Sequence, residues 1–175
     1  MSAPRVRNGP CPGDDLIPNA APVFERTHLI PATPESIWPW IVQLGKGRAG
    51  WYLPRSVERW LPYRWRASRS IVPELQHLAP GDVVADYGGR KEFLEVVATE
   101  PPRVLVYRSK RFGTSFTWAL MLHPRGDTTV VHLRFRGGLR SRGIRRWLII
   151  RVGDLFDWWT TALMLRGLAE RATSQ

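Results

Sequence analysis

Four histidines, His28, His77, His123 and His132, are the side chains whose ordinary pKa suits proton transfer near neutral pH. No two are close in sequence, so none forms a paired metal-ligand spacing. A single cysteine, Cys11, leaves neither an intrachain disulfide nor a thiolate cluster to be built, and it favours a reducing, cytoplasmic setting. There is no Gly-x-Ser-x-Gly elbow to present a nucleophile. The pairs Gly88-Gly89 and Gly137-Gly138 are too short to cradle a phosphate and read as turns. The expectation is a chain without metal, cofactor or covalent intermediate. Any acid–base chemistry falls to His132, Arg134, Glu74 and Tyr107.

On an extended strand alternate residues face one side, so His132 and Arg134 share a face. If that face is concave, they bring an acid–base group and an anion-binding group into a pocket. If it is convex, they are ordinary surface residues, the reading that one apolar and one polar face favours. Asp154 and Asp157, three apart, lie on neighbouring parts of one helical face. They either pair with Arg151 or strand arginines or form a polar spot in a cavity wall.

Aromatic side chains are the larger signal. Nine tryptophans in 175 residues require a deep core or a pocket. Trp51, Tyr52, Tyr87, Tyr107, Trp118, Trp158 and Trp159, with His132, form the candidate ligand-binding set, offering flat apolar area and a few N–H and O–H donors to a ring-bearing or isoprenoid-like molecule.

The formal charge is +11, from 26 basic and 15 acidic residues, and all but Lys46, Lys91 and Lys110 of the bases are arginine. Two groups stand out: Arg59, Arg64, Arg66 and Arg69 among Trp60, Tyr63 and Trp65, and Arg134, Arg136, Arg140, Arg142, Arg145 and Arg146. Arginines dispersed along the whole chain fit an ordinary solvated surface first. Beyond that, either group could touch phosphates or anionic lipid; an anionic membrane surface, in weak contact, is the expected partner and nucleic acid the less expected one. The stretch from Trp147 to Leu165 has the length of a membrane span, but Arg151, Asp154 and Asp157 interrupt it, which favours a buried or cavity-lining helix.

These side chains must be positioned by the elements the pattern predicts. Residues 1–20 form a flexible Pro/Gly-rich leader without a signal-peptide core, and residues 21–175 form one domain. Strand one spans Val23 to Ile30. A helix follows from Thr33 as N-cap and Pro34 to Gly45, and a second short one spans Trp51 to Leu61. Strands then run Asp82 to Tyr87, Glu92 to Thr99, Val104 to Ser109, Ser115 to His123 and Thr128 to Arg136, joined by short turns that favour antiparallel hairpins. The last helix runs from Ile144 to Arg171, with Leu148, Val152, Leu155, Trp159 and Leu163 at helical spacing. The class is α+β.

The segments Ile30-Pro31-Ala32-Thr33-Pro34-Glu35-Ser36-Ile37-Trp38, Trp40-Ile41-Val42-Gln43-Leu44-Gly45, Gly47-Arg48-Ala49-Gly50-Trp51-Tyr52 and Val72-Pro73-Glu74-Leu75-Gln76-His77-Leu78-Ala79-Pro80-Gly81-Asp82-Val83-Val84 resemble the START-related helix-grip superfamily (SRPBCC), often labelled polyketide cyclase/dehydrase and lipid-transport proteins. Pro12-Gly13-Asp14-Asp15-Leu16-Ile17-Pro18 matches as well. The resemblance covers most of the chain. It implies a curved antiparallel sheet wrapped around the long C-terminal helix, two short helices after the first strand, and a ligand cavity between sheet and helix. The expected function is binding or transport of a hydrophobic small molecule such as a lipid, polyketide or other secondary metabolite. A cyclase, aromatase or dehydratase using the same cavity is the enzymatic alternative.

Overall fold

The computed structural model describes residues 9–87, 92–111, 114–139 and 143–174, and within these the side chains of Arg111, Arg145 and Arg146 are left aside. The turns read at Gly88-Gly89-Arg90 and Phe112-Gly113, and the arginines Arg140 and Arg142, lie outside the described residues.

Strand β1 (Val23–Ile30) leads through Pro34 at the first helical position into α1 (Pro34–Gln43). Thr33 occupies the N-cap position, but its hydroxyl faces that of Ser36 at 3.3 Å and caps no backbone N–H. The second helix, α2, is only Arg55–Glu58, because Pro54 and Pro62 bracket the segment and deny it a longer hydrogen-bonded run. Single 3₁₀ turns at Tyr63–Trp65 and Pro73–Leu75 carry the chain to β2 (Val83–Ala85). Then follow β3 (Phe93–Glu100), β4 (Val104–Arg111), β5 (Thr114–Arg125), β6 (Thr128–Gly137) and α3 (Gly143–Ala172).

The six strands form one curved antiparallel sheet in the order β1-β6-β5-β4-β3-β2, so the first strand closes against the last. The expected strands, the two helices after the first strand and the long C-terminal helix are all present. This is the helix-grip α+β architecture.

Register decides which residues share the inner, helix-covered face. Phe24 pairs with Phe135, Trp118 with both Phe135 and Tyr107, Leu120 with Leu133 and Leu105, and Leu122 with Val131. The main core joins this row to Ile37, Trp40 and Ile41 of α1 and to Met164, Leu165 and Leu168 of α3. Burying such side chains drives the closure, at about 25 cal/mol per Å² of apolar surface.

Helix α3 departs from the expectation its spacing raises. The stripe Leu148, Val152, Leu155 and Trp159 faces solvent instead of the sheet. The packed stripe is Asp157, Thr161, Met164, Leu165 and Leu168, with Gly153 against the Phe24 ring. Both stripes are apolar enough at helical spacing, so periodicity alone does not choose between them. Two specific contacts do. Gly167 has no Cβ, and one placed there would lie 2.7 Å from the backbone of Tyr52 and Leu53, so this face alone permits close approach. On the same side Arg26 of β1 binds Asp154 at 2.5 Å and Asp157 at 3.1 Å, the strand-arginine pairing that the spacing of the two acids allows.

Residues 9–20 lie across the outer face. Arg134 holds Asp14 through two hydrogen bonds of 3.0 Å, and Arg136 donates to the Ile17 carbonyl at 2.8 Å. Cys11 packs against a small outer cluster of Val106, Ala119 and Met121.

Candidate functional site

The loop after α1 is built to deliver one ring. Gly45 and Gly50 exchange backbone hydrogen bonds of 3.2 and 3.0 Å, and a side chain at Gly45 would meet Val84 at 2.6 Å. Arg48 fastens the loop from below by donating to the carbonyls of Val42 (3.2 Å) and Leu75 (2.7 Å). Gln43, fully buried, accepts from the Val72 N–H and the Gln76 amide and donates to the Ser70 carbonyl, which pins the irregular 68–76 segment alongside. The chain therefore leaves Gly50 with Trp51 laid against the sheet.

Trp51 stacks on Trp118 at 6.0 Å between centroids, and Trp118 stacks on Tyr107 at 6.0 Å. Tyr87 meets the other side of Trp51 edge-on at 6.1 Å. Four of the eight expected ligand residues thus form one continuous row on the inner face. A second row adjoins it, since Phe135 is the register neighbour of Trp118 and stacks with Phe116 at 5.4 Å and Phe24 at 5.8 Å. Trp51 and Trp118 are half-buried and Tyr87 is exposed, so the row is open along part of its length.

Tyr107 is the polar element of this surface. Its ring is buried, its hydroxyl makes no hydrogen bond among the described residues, and burial pushes its pKa up, so it is a neutral donor at physiological pH. Arg48 is the nearby charge that opposes the shift. The guanidinium Nε of Arg48 is buried without a partner among the described residues. The Tyr107 hydroxyl can donate to an oxygen acceptor at one end of the aromatic shelf.

The other expected residues lie elsewhere. Tyr52 is wholly buried, donates to the Trp40 carbonyl at 2.8 Å and carries the Arg171 guanidinium 4.5 Å from its ring centre, so it belongs to the core beneath the row. Trp158 and Trp159 are exposed on α3. Glu74 is exposed on a 3₁₀ turn.

His132 and Arg134 take the convex alternative, on the outer face. His132 is buried there beside the His123 ring at 5.9 Å, with Glu25 3.6 Å from Nε2, and burial holds its pKa below the usual histidine value. Arg134 is engaged by Asp14 and Glu25. An open cleft of about 640 Å³ beside Arg134 offers no free charge for that reason, and it lies on the face opposite the aromatic row. Among the described residues no three His, Cys, Asp or Glu side chains converge as a metal site, and no helix is long and apolar enough to cross a membrane.

The residues that the expectation omitted, Gln43, Arg48 and Gln76, and the rings Phe24, Phe116 and Phe135, had visible signals. The first three stand inside the family-like segments, and the rings sit at alternating strand positions.

No family model matches the chain. Lipoyl synthases from Pseudomonas aeruginosa and Pseudomonas paraeruginosa are 36% identical over 80 residues, covering 38% of this chain and 24% of theirs. The chain therefore spans about a quarter of the length of the curated relatives it matches. Among solved structures, DynU16, a protein in the dynemicin biosynthetic locus, superposes with a TM-score of 0.53 at 15% identity, covering 87% of this chain and 47% of that one. CalU16 from Micromonospora echinospora gives 0.50 at 15% identity, covering 86% and 83%. An HSP90 activator from Plasmodium falciparum gives 0.50 at 14% identity, covering 82% and 90%. At such identities the likeness is one of fold.

Proposed function

We propose that this chain is a divergent member of the START-related helix-grip superfamily that binds a hydrophobic, ring-bearing small molecule on the inner face of its sheet. One observation carries the reading: the continuous row Tyr87, Trp51, Trp118, Tyr107, adjoined by Phe135, Phe116 and Phe24. Tyr107, Phe116 and Phe24 are buried, but Trp51 and Trp118 are half-buried and Tyr87 is exposed, so part of the row is open to a planar ligand. Offset stacking would hold such a ligand, with each aromatic contact contributing roughly 0.5–1.5 kcal/mol beyond its area. The Tyr107 hydroxyl would orient a carbonyl or phenolic oxygen. The likeness of fold to a protein in the dynemicin biosynthetic locus supports a secondary metabolite as the ligand class.

Proton donation by Tyr107 to a ligand oxygen is the enzymatic variant of this reading, of cyclase or dehydratase type. Native mass spectrometry of the purified protein separates the two. A retained, unaltered molecule that is lost in Trp118→Leu supports a binding module. Turnover of that molecule, abolished in Tyr107→Phe with binding preserved, supports the enzyme. No retained mass, together with equal uptake of planar hydrophobic probes by wild type and Trp118→Leu, contradicts both.

A further inference from the structure

The first half of α3 is turned inside out relative to an ordinary surface helix. Its acids, Asp154 and Asp157, point inward onto Arg26. Its apolar residues point outward: Ile144, Leu148, Val152, Leu155 and Trp159, spaced by four, four, three and four, form one stripe, and their exposures run from 55% to 85%. Phe156 and Ile149 widen it. A contiguous apolar patch of this kind marks an interaction surface, because leaving it in water forfeits the burial that the rest of the fold exploits.

Charge selects what covers it. The chain carries +11, and among the described side chains no free acid stands on this half of the helix. Arg151 flanks the stripe with its guanidinium 5.9 Å from the Trp147 ring centre. A second copy of so basic a chain is repelled, and nucleic acid gains nothing from leucine, isoleucine and valine. An anionic bilayer satisfies both features: headgroups neutralise Arg151 and attract a chain of net charge +11, the upper acyl region takes the aliphatic stripe, and Trp147 and Trp159 suit the headgroup boundary. We infer that the outward stripe of α3 docks this protein on an anionic lipid surface, with the helix lying in the plane of the interface. The inference is independent of the inner aromatic row.

Co-sedimentation with vesicles of phosphatidylcholine alone, or with about one third phosphatidylglycerol, tests it at low and high salt, since screening weakens only the charged component. Binding to the anionic vesicles is expected to exceed binding to the neutral ones by at least tenfold, a difference of about 1.4 kcal/mol. Leu148→Glu/Leu155→Glu should lose at least tenfold of the anionic binding, and the milder Leu155→Gln an intermediate amount. Melting temperatures should stay unchanged, because both positions are solvated. Absence of vesicle binding at low salt, or equal binding by wild type and the double variant, overturns the proposal. So does a wild-type dimer in sedimentation equilibrium, or binding to a thymidine oligonucleotide, that the double variant abolishes while vesicles remain unbound.

Discussion

Glu58→Gln should destabilise the protein far more than a single surface charge would. Glu58 and Arg171 are 4% and 2% exposed and meet at 2.7 Å, joining α2 to the end of α3. Arg171 also donates to the carbonyls of Ser68 (2.8 Å), Leu53 (3.1 Å) and Gly167 (2.9 Å), and the second Glu58 oxygen accepts two bonds from Arg69 at 3.0 and 2.7 Å. Glutamine keeps the shape but removes the carboxylate that faces the buried Arg171 guanidinium, and its NH₂ then opposes a donor. Breaking a buried ion pair from one side costs about 3–5 kcal/mol, because a charge is left uncompensated. The lower end applies here, since Arg69 is partly solvated and Glu170 stands 3.5 Å from it, ready to share the load. About 3 kcal/mol in a domain of this size lowers the melting temperature by roughly 6–12 °C. Urea unfolding of Glu58→Gln, Arg171→Met and the Glu58→Leu/Arg171→Met double variant measures it. The double variant should lose less than the sum of the singles, because it leaves no fully buried charge unpaired; only the partly solvated Arg69 loses a partner, with Glu170 still 3.5 Å away. A loss below about 1 kcal/mol in Glu58→Gln would show that the pair behaves as an exposed salt bridge and that the anchoring of α3 lies elsewhere.

Three further outcomes follow from the same geometry. Gly167→Ala places a Cβ 2.7 Å from the Tyr52–Leu53 backbone, so overpacking of about 1–3 kcal/mol should outweigh the roughly 1 kcal/mol helix-propensity gain. Gly153→Ala meets only the Phe24 ring at 3.9 Å and should be neutral or stabilising in the same melts. Burial holds His28, His123 and His132 below the ordinary histidine pKa of about 6.5. The unfolded chain therefore takes up protons first, and stability should fall as pH drops from neutral through about 6.5; His132→Gln should flatten that slope in urea titrations across pH.

Much of the fold was legible because strands and turns announce themselves locally. Pro80-Gly81-Asp82 and Pro124-Arg125-Gly126-Asp127 separate alternating apolar runs, and the observed strands begin and end within two residues of the expected ones. The second short helix shrank because its prolines act on hydrogen bonds that composition does not count. The aromatic row was half legible. Alternation puts Trp118 and its strand neighbours on one face, but only cross-strand register places Tyr107 beside Trp118, and only the glycine loop brings Trp51 onto it. Tyr52 follows Trp51 directly in sequence yet turns into the core, a choice fixed by its bond to Trp40. The face of α3 was the least legible, since it depends on the Cβ missing at Gly167 and on a carboxylate pair answering an arginine that is more than a hundred residues away.

The central claim is that the inner aromatic row is a ligand surface. A fluorescence titration with the neutral probe N-phenyl-1-naphthylamine tests it most directly, on wild type, Trp118→Leu, Tyr107→Phe and, as a control on the outer face, His132→Gln. Loss of the stacking ring should weaken binding by about tenfold in Trp118→Leu, where the lost stack and aromatic area together amount to about 1.4 kcal/mol. Tyr107→Phe and His132→Gln should bind this apolar probe as wild type does. Equal affinity in wild type and Trp118→Leu, or weakening by His132→Gln alone, would contradict the account.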